Sequence, residues 1–197
     1  MGSRSVTIQD IPCGKLGQWE VSEFTITDEV AGIENIRAMF HSGQRIVRPG
    51  TYKSLTRNGH VIMSNTPTEM RDFWVFERMA KGNILINGLG LGVVLCTILE
   101  DAEVEQVTVI ELDADVITLV GQSFADEPRV NIIHADAFTW QPPKGVRYNC
   151  VWHDIWDNIS ADNLPGMARL HRKYARRCDW QGAWGRDLCK RLARREA

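Results

Sequence analysis

No stretch of this 197-residue chain holds the roughly 18–20 consecutive apolar residues that a membrane-spanning helix needs. The opening segment, MGSRSVTIQDIP, lacks the apolar core of a secretory signal. Cysteine is sparse and scattered. Cys13, Cys96, Cys150, Cys178 and Cys189 are odd in number and form no Cys-x-x-Cys pair. That pattern argues against a disulfide framework or a zinc site, and predicts reduced thiols in a cytoplasmic protein with no metal. There is no internal repeat and no low-complexity tract, which sets aside solenoids and disordered linkers.

What is present is the balance of a soluble globular protein, 44% hydrophobic and 24% charged. The net charge of −2 hides an asymmetry. Residues 167–197 hold 10 basic and 3 acidic side chains, while the rest of the chain is acidic. A basic tail on an acidic body can attract nucleic acid, dock on its own body, or form a solvated helical face. The last two readings are the more common origin of such clustering.

The hydrophobic pattern divides the chain into three regions. Residues 1–80 form an N-terminal α+β appendage. Phe24–Ile26 reads as a short strand. Thr27 or Asp28 caps a helix carrying Ile33, Ile36, Met39 and Phe40 on one face and ending near Gly43. Thr51–Leu55 and His60–Met63 flank Asn58-Gly59, the strongest short hairpin signal. Thr66-Pro67-Thr68-Glu69 reads as a capping box with proline at the first helical position, opening a helix that buries Phe73, Val75 or Phe76, and Met79.

Residues 81–160 have a different rhythm. Apolar strands at Ile84–Ile86, Val107–Ile110, Val130–Ile133 and Tyr148–Trp152 alternate with helices over Val93–Leu99 and from Asp113 to about Phe124. Such alternation implies βαβ units, a parallel sheet and a Rossmann-like α/β fold, with all strand ends on one ligand-binding edge. Residues 161–197 read as basic helices. Leu164, Met167, Leu170, Tyr174 and Cys178 form one stripe, and a last helix turns Leu188 and Leu192 inward.

The chemistry is concentrated at the strand ends. Gly88-Leu89-Gly90-Leu91-Gly92 follows the first parallel strand and opens a helix. Glycines there permit unusual backbone angles and remove the Cβ that would block a ligand. Glu111 ends the second strand, where a carboxylate can accept both hydrogen bonds of a ribose diol. Asp136 ends the third strand and could accept from the exocyclic amine of a purine, or cap a turn. Asp154 ends the fourth, with Asp157 three residues on. Two acids on that edge could hold or deprotonate an amine, although Asp157 could equally cap the next helix. His153 should point away from Asp154 by strand alternation. Trp152 and Trp156 could stack on a flat substrate but are more often core residues, and Cys150 reads as buried and inert.

Together these residues resemble the class I S-adenosylmethionine-dependent methyltransferase superfamily, and within it the spermidine-synthase-like branch. Ile84 to Gly92, with Asn87 before the glycines, is similar to the branch's first motif. Val109-Ile110-Glu111-Leu112-Asp113 is similar to its second, and His134-Ala135-Asp136-Ala137-Phe138 to its adenine-reading segment. Asp154-Ile155-Trp156-Asp157 keeps the acids of the aminopropyltransferase Asp-x-x-Asp signature, the first acting as base and the second helping to hold the diamine. The resemblance implies binding of S-adenosylmethionine, or its decarboxylated form, through Asn87, Gly88, Gly90, Gly92, Glu111, Leu112, Asp136, Ala137 and Asp154. Asp154 and Asp157 would be the catalytic residues.

Three departures are visible. Ile62 occupies the position where the branch carries glutamine, the Asp-x-x-Asp segment lacks the usual serines and following proline, and no strand is evident after Asp157. A C-terminally truncated sheet is therefore expected, its edge covered by the basic helices or by a second copy in a homodimer. The compactness is similar to that of phage-encoded proteins of this kind. A methyltransferase of unknown acceptor is the leading expectation. An aminopropyltransferase acting on polyamines and a non-catalytic cofactor-binding protein are the alternatives. Nicotinamide binding is disfavoured because Val93 stands where the dinucleotide motif needs glycine.

Overall fold

A computed structural model of the chain describes residues 6–40 and 46–196. Its first layer is an antiparallel sheet, ordered β1 (Gly14–Leu16), β2 (Trp19–Ile26), β3 (Gly50–Arg57) and β4 (His60–Ser64). Helix α1 (Asp28–Phe40) lies between β2 and β3 in the chain. The β3–β4 hairpin closes through Asn58 and Gly59, both in the left-handed region at φ 51° and 78°. Two successive positive φ values are what a two-residue turn needs to match strand twist, so the Asn-Gly signal reads through directly. Thr27 caps α1, its Oγ1 accepting from Val30 N–H at 3.3 Å.

Three sequence expectations fail in this region. Ile33 and Ile36, expected on an inward face of α1, are exposed, and Ala31 is the buried one among the helix side chains described. The side chains of Met39 and Phe40, and Gly43, lie outside the described residues. The capping box also does not form, because Thr66 makes no side-chain cap bond. Glu69 instead turns back to β4, where its carboxylate accepts from Ser64 N–H at 2.5 Å and Ser64 Oγ at 2.9 Å. The segment that follows is not one helix. It runs as α2 (Pro67–Met70), a 3₁₀ turn (Arg71–Phe73) and α3 (Trp74–Met79), burying Phe73 and Phe76 and leaving Val75 and Met79 exposed.

The second layer is a parallel sheet. Its strands are β5 (Gly82–Asn87), β6 (Val104–Glu111), β7 (Val130–His134), β8 (Tyr148–His153) and β9 (Cys178–Ala183). They are arranged in the order β7-β6-β5-β8-β9. Helices α4 (Val93–Leu99), α5 (Ala114–Leu119), α6 (Leu164–Tyr174) and α7 (Arg186–Glu196) complete the chain. The central strands are apolar on both sides because both faces are covered. Ile84 and Ile86 enter one core with α4, Phe76 and Trp152, while Leu85 enters the opposite core with Val151, Leu170 and Tyr174. The order reverses at β5, whose successor β6 lies on one side and β8 on the other. In open α/β sheets the crevice at such a reversal is where ligands bind.

β9 corrects the sequence reading. Residues 178–183 are a strand, paired in parallel with β8 from Tyr148↔Cys178 to His153↔Ala183, where only helix was expected. Cys178 thus belongs to the sheet and not to the α6 stripe, which ends at Tyr174. In α7 the fully buried residue is Cys189, with Leu188 and Leu192 half-buried. Among the described residues no helix is long and apolar enough to cross a membrane.

Candidate functional site

The carboxyl ends of β5, β6, β7 and β8 open into a cavity of about 570 Å³, within the range of small-molecule sites. Gly88, Leu89 and Gly90 form one wall, Glu111 to Asp113 a second, Ala135 to Phe138 a third, and Asp154 to Asp157 a fourth. The antiparallel sheet lies over them and contributes Trp19, Leu55, Arg57, Ile62 and Met63.

The glycine turn is built for close approach. Gly88, Gly90 and Gly92 all have left-handed φ, at 99°, 53° and 77°. A Cβ on Gly90 would stand 2.6 Å from the Met63 sulfur, and Leu91 N–H points at that same sulfur at 3.0 Å. The hairpin strand β4 therefore sits directly on the turn. Glu111, 9% exposed, fastens the turn from the other side. Its carboxylate accepts from Leu89 N–H at 2.7 Å and from Asp113 N–H at 2.9 Å. Asp113 caps α5 by accepting from Asp115 N–H, and its second oxygen accepts from the Trp19 indole N–H at 2.6 Å. That bond pins β2 to the end of β6.

Asp136 accepts from Phe138 N–H at 2.7 Å through Oδ1, and its Oδ2 makes no hydrogen bond among the described residues. Beside it, Lys173 of α6 donates to the carbonyls of Ala137 at 2.9 Å and Phe138 at 3.3 Å, and to that of Trp140. Arg169 lies 5.0 Å from the Phe138 ring. Part of the basic C-terminal charge is thus docked on the chain's own loop after β7. Burial removes water from Lys173 and lowers its pKa, while Asp136 pulls it back up.

Asp154 follows β8 and faces the cavity. Loss of solvent pushes its pKa up to about 7. The Trp152 indole N–H, close by but not aligned for a hydrogen bond, favours the anion, while Asp72 and Glu69 oppose it. Asp157 is exposed and ion-paired with Arg57 at the end of β3. The Arg57 guanidinium also lies 5.3 Å from the centre of the Trp19 ring.

Most of the expected site residues meet in this one cavity: Gly88, Gly90, Glu111, Leu112, Asp136, Ala137, Asp154 and Asp157. Two do not line it. Asn87 is fully buried beneath the edge, its Nδ2 2.8 Å from His153 Nδ1. Gly92 faces Phe124 and Val120. Trp156 reaches the cavity, but Trp152 does not. Its ring stacks on Phe76 at 5.1 Å and on Trp180 at 6.4 Å inside the core. His153 points to the opposite face of the sheet from Asp154, as alternation requires. Burial, reinforced by His171, lowers its pKa to about 3. Cys150 is buried, and loss of solvent raises its pKa. Among the described residues no group of three or more His, Cys, Asp or Glu is placed to hold a metal ion.

Sequence reasoning missed Trp19, Arg57, Met63 and Glu69. Arg57 and Asp157 are 100 positions apart, and neither residue carries a local signal of the other.

Residues 80–174 match the family model for ribosomal RNA adenine dimethylase. Over 98 residues, 45% of this chain, the sequence is 35% identical to polyamine aminopropyltransferase 1 of Streptomyces coelicolor. The matched stretch is 18% of that relative's length. Among solved structures the chain is similar to the 23S rRNA methyltransferase ErmE, with a TM-score of 0.41 and 16% identity, covering 53% of this chain and 42% of that one. It is also similar to a dimethyladenosine transferase from Plasmodium falciparum, with a TM-score of 0.40 and 17% identity, covering 54% of this chain and 37% of that one. The five-stranded parallel sheet with its reversal at β5 is a Rossmann-like arrangement, and residues 80–174 of it are similar to a family of S-adenosylmethionine-dependent methyltransferases.

Proposed function

We propose that this chain binds S-adenosylmethionine across the ends of β5 to β8 and transfers its methyl group to a small acceptor presented beside Asp154. The observation that carries the reading is the convergence of Gly88, Gly90, Glu111, Asp136 and Asp154 on one cavity. The residues fit the adenosyl group. Gly88 and Gly90 bring the turn's backbone to the cavity wall, Glu111 would stand at the ribose, and the unengaged Oδ2 of Asp136 suits an exocyclic amine. A sulfonium is a cation, and Glu69, Glu111, Asp113, Asp136, Asp154 and Asp157 line the cavity.

When bound, S-adenosylmethionine supplies a methyl group already activated for transfer. The chain's own work is then alignment, exclusion of water and handling of one proton. Trp19, Leu55, Ile62 and Met63 cover the crevice. Asp154, with a pKa of about 7, is poised to take the proton that an acceptor amine or hydroxyl loses.

The acidity of the walls favours a neutral or cationic acceptor over a phosphate-rich one. An aminopropyltransferase activity, using the decarboxylated cofactor, is the second reading. The six carboxylates and the likeness to the Streptomyces coelicolor relative support it, and the engagement of Asp157 by Arg57 opposes it.

Two measurements test the proposal. Calorimetry should show binding of S-adenosylmethionine and S-adenosylhomocysteine, and none of NAD. Labelled methyl groups should pass to a component of a pool of amines, metabolites, RNA or protein. Binding without transfer to any pool would leave a cofactor-binding protein in place of an enzyme.

A further inference from the structure

Arg57 is the one lysine, arginine or histidine among the described residues lining the cavity, against six carboxylates. S-adenosylmethionine carries a carboxylate on its methionine end, and that group cannot enter such walls without a donor. The glycine turn supplies no cation and little else: Gly88 N–H donates to Ile110 O, Leu89 N–H to Glu111, Leu91 N–H to the Met63 sulfur and Gly92 N–H to Leu89 O, leaving Gly90 N–H as its one uncommitted amide among the described residues. Helix α4 behind it has 7 residues and offers no anion site of its own.

Strand order fixes where the carboxylate would lie. Glu111 and Asp136 end β6 and β7, so an adenosine held there directs the rest of the ligand across β5 towards β8. At β8 the ligand meets Asp154 and Asp157, and with Asp157 the guanidinium of Arg57. One terminal nitrogen of Arg57 holds Asp157, and its ring-like plane is braced 5.3 Å over Trp19. Its Nη1 and Nε have no hydrogen bond partner among the described residues. An arginine fixed on one side by an acid and on its face by an indole presents the remaining fork to a planar carboxylate.

We propose that Arg57 is a specificity residue that binds the donor's carboxylate and so distinguishes S-adenosylmethionine from its decarboxylated form. The inference rests on the adenosine reading above. Without Arg57 the six-carboxylate cavity prefers the decarboxylated ligand, which carries one more net positive charge. With Arg57 the carboxylated donor is accommodated.

Calorimetry on the whole chain at pH 8 tests this with three ligands: S-adenosylmethionine, its decarboxylated form, and methylthioadenosine, which has neither carboxylate nor sulfonium. Arg57→Gln should weaken S-adenosylmethionine by roughly ten- to a hundredfold, the range of a charge-assisted hydrogen-bonded contact. It should leave methylthioadenosine within about twofold. Decarboxylated ligand should bind the variant as well as, or better than, the wild type. Asp157→Asn removes a carboxylate beside the ligand's own while its amide oxygen can still accept from Arg57, and should tighten S-adenosylmethionine, a gain that a folding defect cannot imitate. Equal weakening of all three ligands by Arg57→Gln, or no weakening of S-adenosylmethionine, overturns the inference alone. Failure of the wild-type chain to bind methylthioadenosine overturns the adenosine reading and the inference with it.

Discussion

The carbonyl oxygen of Asp154 occupies the space that a side chain at Gly88 would need: a Cβ built there would stand 2.0 Å from it. The turn after β5 and the segment after β8 are thus packed backbone to backbone at the point where the sheet order reverses. Gly88→Ala must both adopt a φ of 99° and push the Asp154 carbonyl away. We expect a loss of at least about 2 kcal/mol, from strain and overpacking together. Gly145 is the control. Its φ of 84° is as unusual, but a Cβ there meets nothing within 4 Å. Gly145→Ala should therefore cost only about 1 kcal/mol. Urea denaturation of the two variants measures the difference, and equal midpoints would contradict the backbone contact.

Glu111 has two tasks, and substitution should expose both. It ties Leu89 and Asp113 N–H groups together across the turn, and it lines the cavity where we propose the ribose binds. Glu111→Ala leaves two amide donors without their acceptor, so a stability loss of about 2–3 kcal/mol is expected even with no ligand present. Methylthioadenosine affinity should fall at least about tenfold as well. A thermal unfolding series with and without the ligand separates the two effects. An unchanged ligand affinity would remove Glu111 from the ribose site while leaving its structural role intact.

How much of this was legible depends on the distance over which each signal acts. The Asn58-Gly59 hairpin, the limits of α4 and the Asp113 cap are local chemistry, and the structure reproduces them. The strand-end acids were also readable, since each closes a short apolar run. β9 was not. Cys178, Trp180 and Gly182 alternate with Asp179 and Gln181, but Cys178 also falls four residues after Tyr174, in phase with the α6 stripe. The helical period overshot by one turn. The Arg57–Asp157 pair and the Trp19–Asp113 bond join segments 100 and 94 residues apart, and only the meeting of the two sheets creates them. For α1 the pattern misled, because an apolar stripe states what could be buried and not what is.

The fifth strand makes a prediction of its own. Trp180 extends an aromatic stack in which Trp152 and Phe76 are the buried members, with Trp180 and Phe76 centroids 6.1 Å apart. Trp180→Ala should cost about 2 kcal/mol, less than a fully buried tryptophan because the ring is half-exposed. The loss should appear as faster amide exchange at β8 and β9, the strands the stack holds together. Exchange unchanged at His153 and Ala183 would show that β9 is held by its ladder alone.

The adjacent residues His153 and Asp154 should give folding stability opposite dependences on pH. Asp154 has a folded pKa of about 7 against an ordinary 3.8, so between those values the folded state holds a proton that the unfolded state has lost. Its contribution is full below about pH 4 and fades as pH rises to 7. His153 is the reverse. Its folded pKa is about 3 against 6.5, so the unfolded state takes up the proton, and stability fades as pH falls from 6.5 to 3. His171, lowered to about 4 by burial and then by Arg186 and Lys190, acts in the same sense as His153. Between about pH 4 and 6.5, Asp154 therefore cancels one of the two imidazole slopes. Asp154→Asn should steepen the acid loss of stability in that window, and His153→Gln should flatten it. Chemical denaturation at half-unit pH steps reads both slopes. If the two substitutions changed them in the same direction, the assignment of a protonated acid beside a neutral imidazole would be wrong.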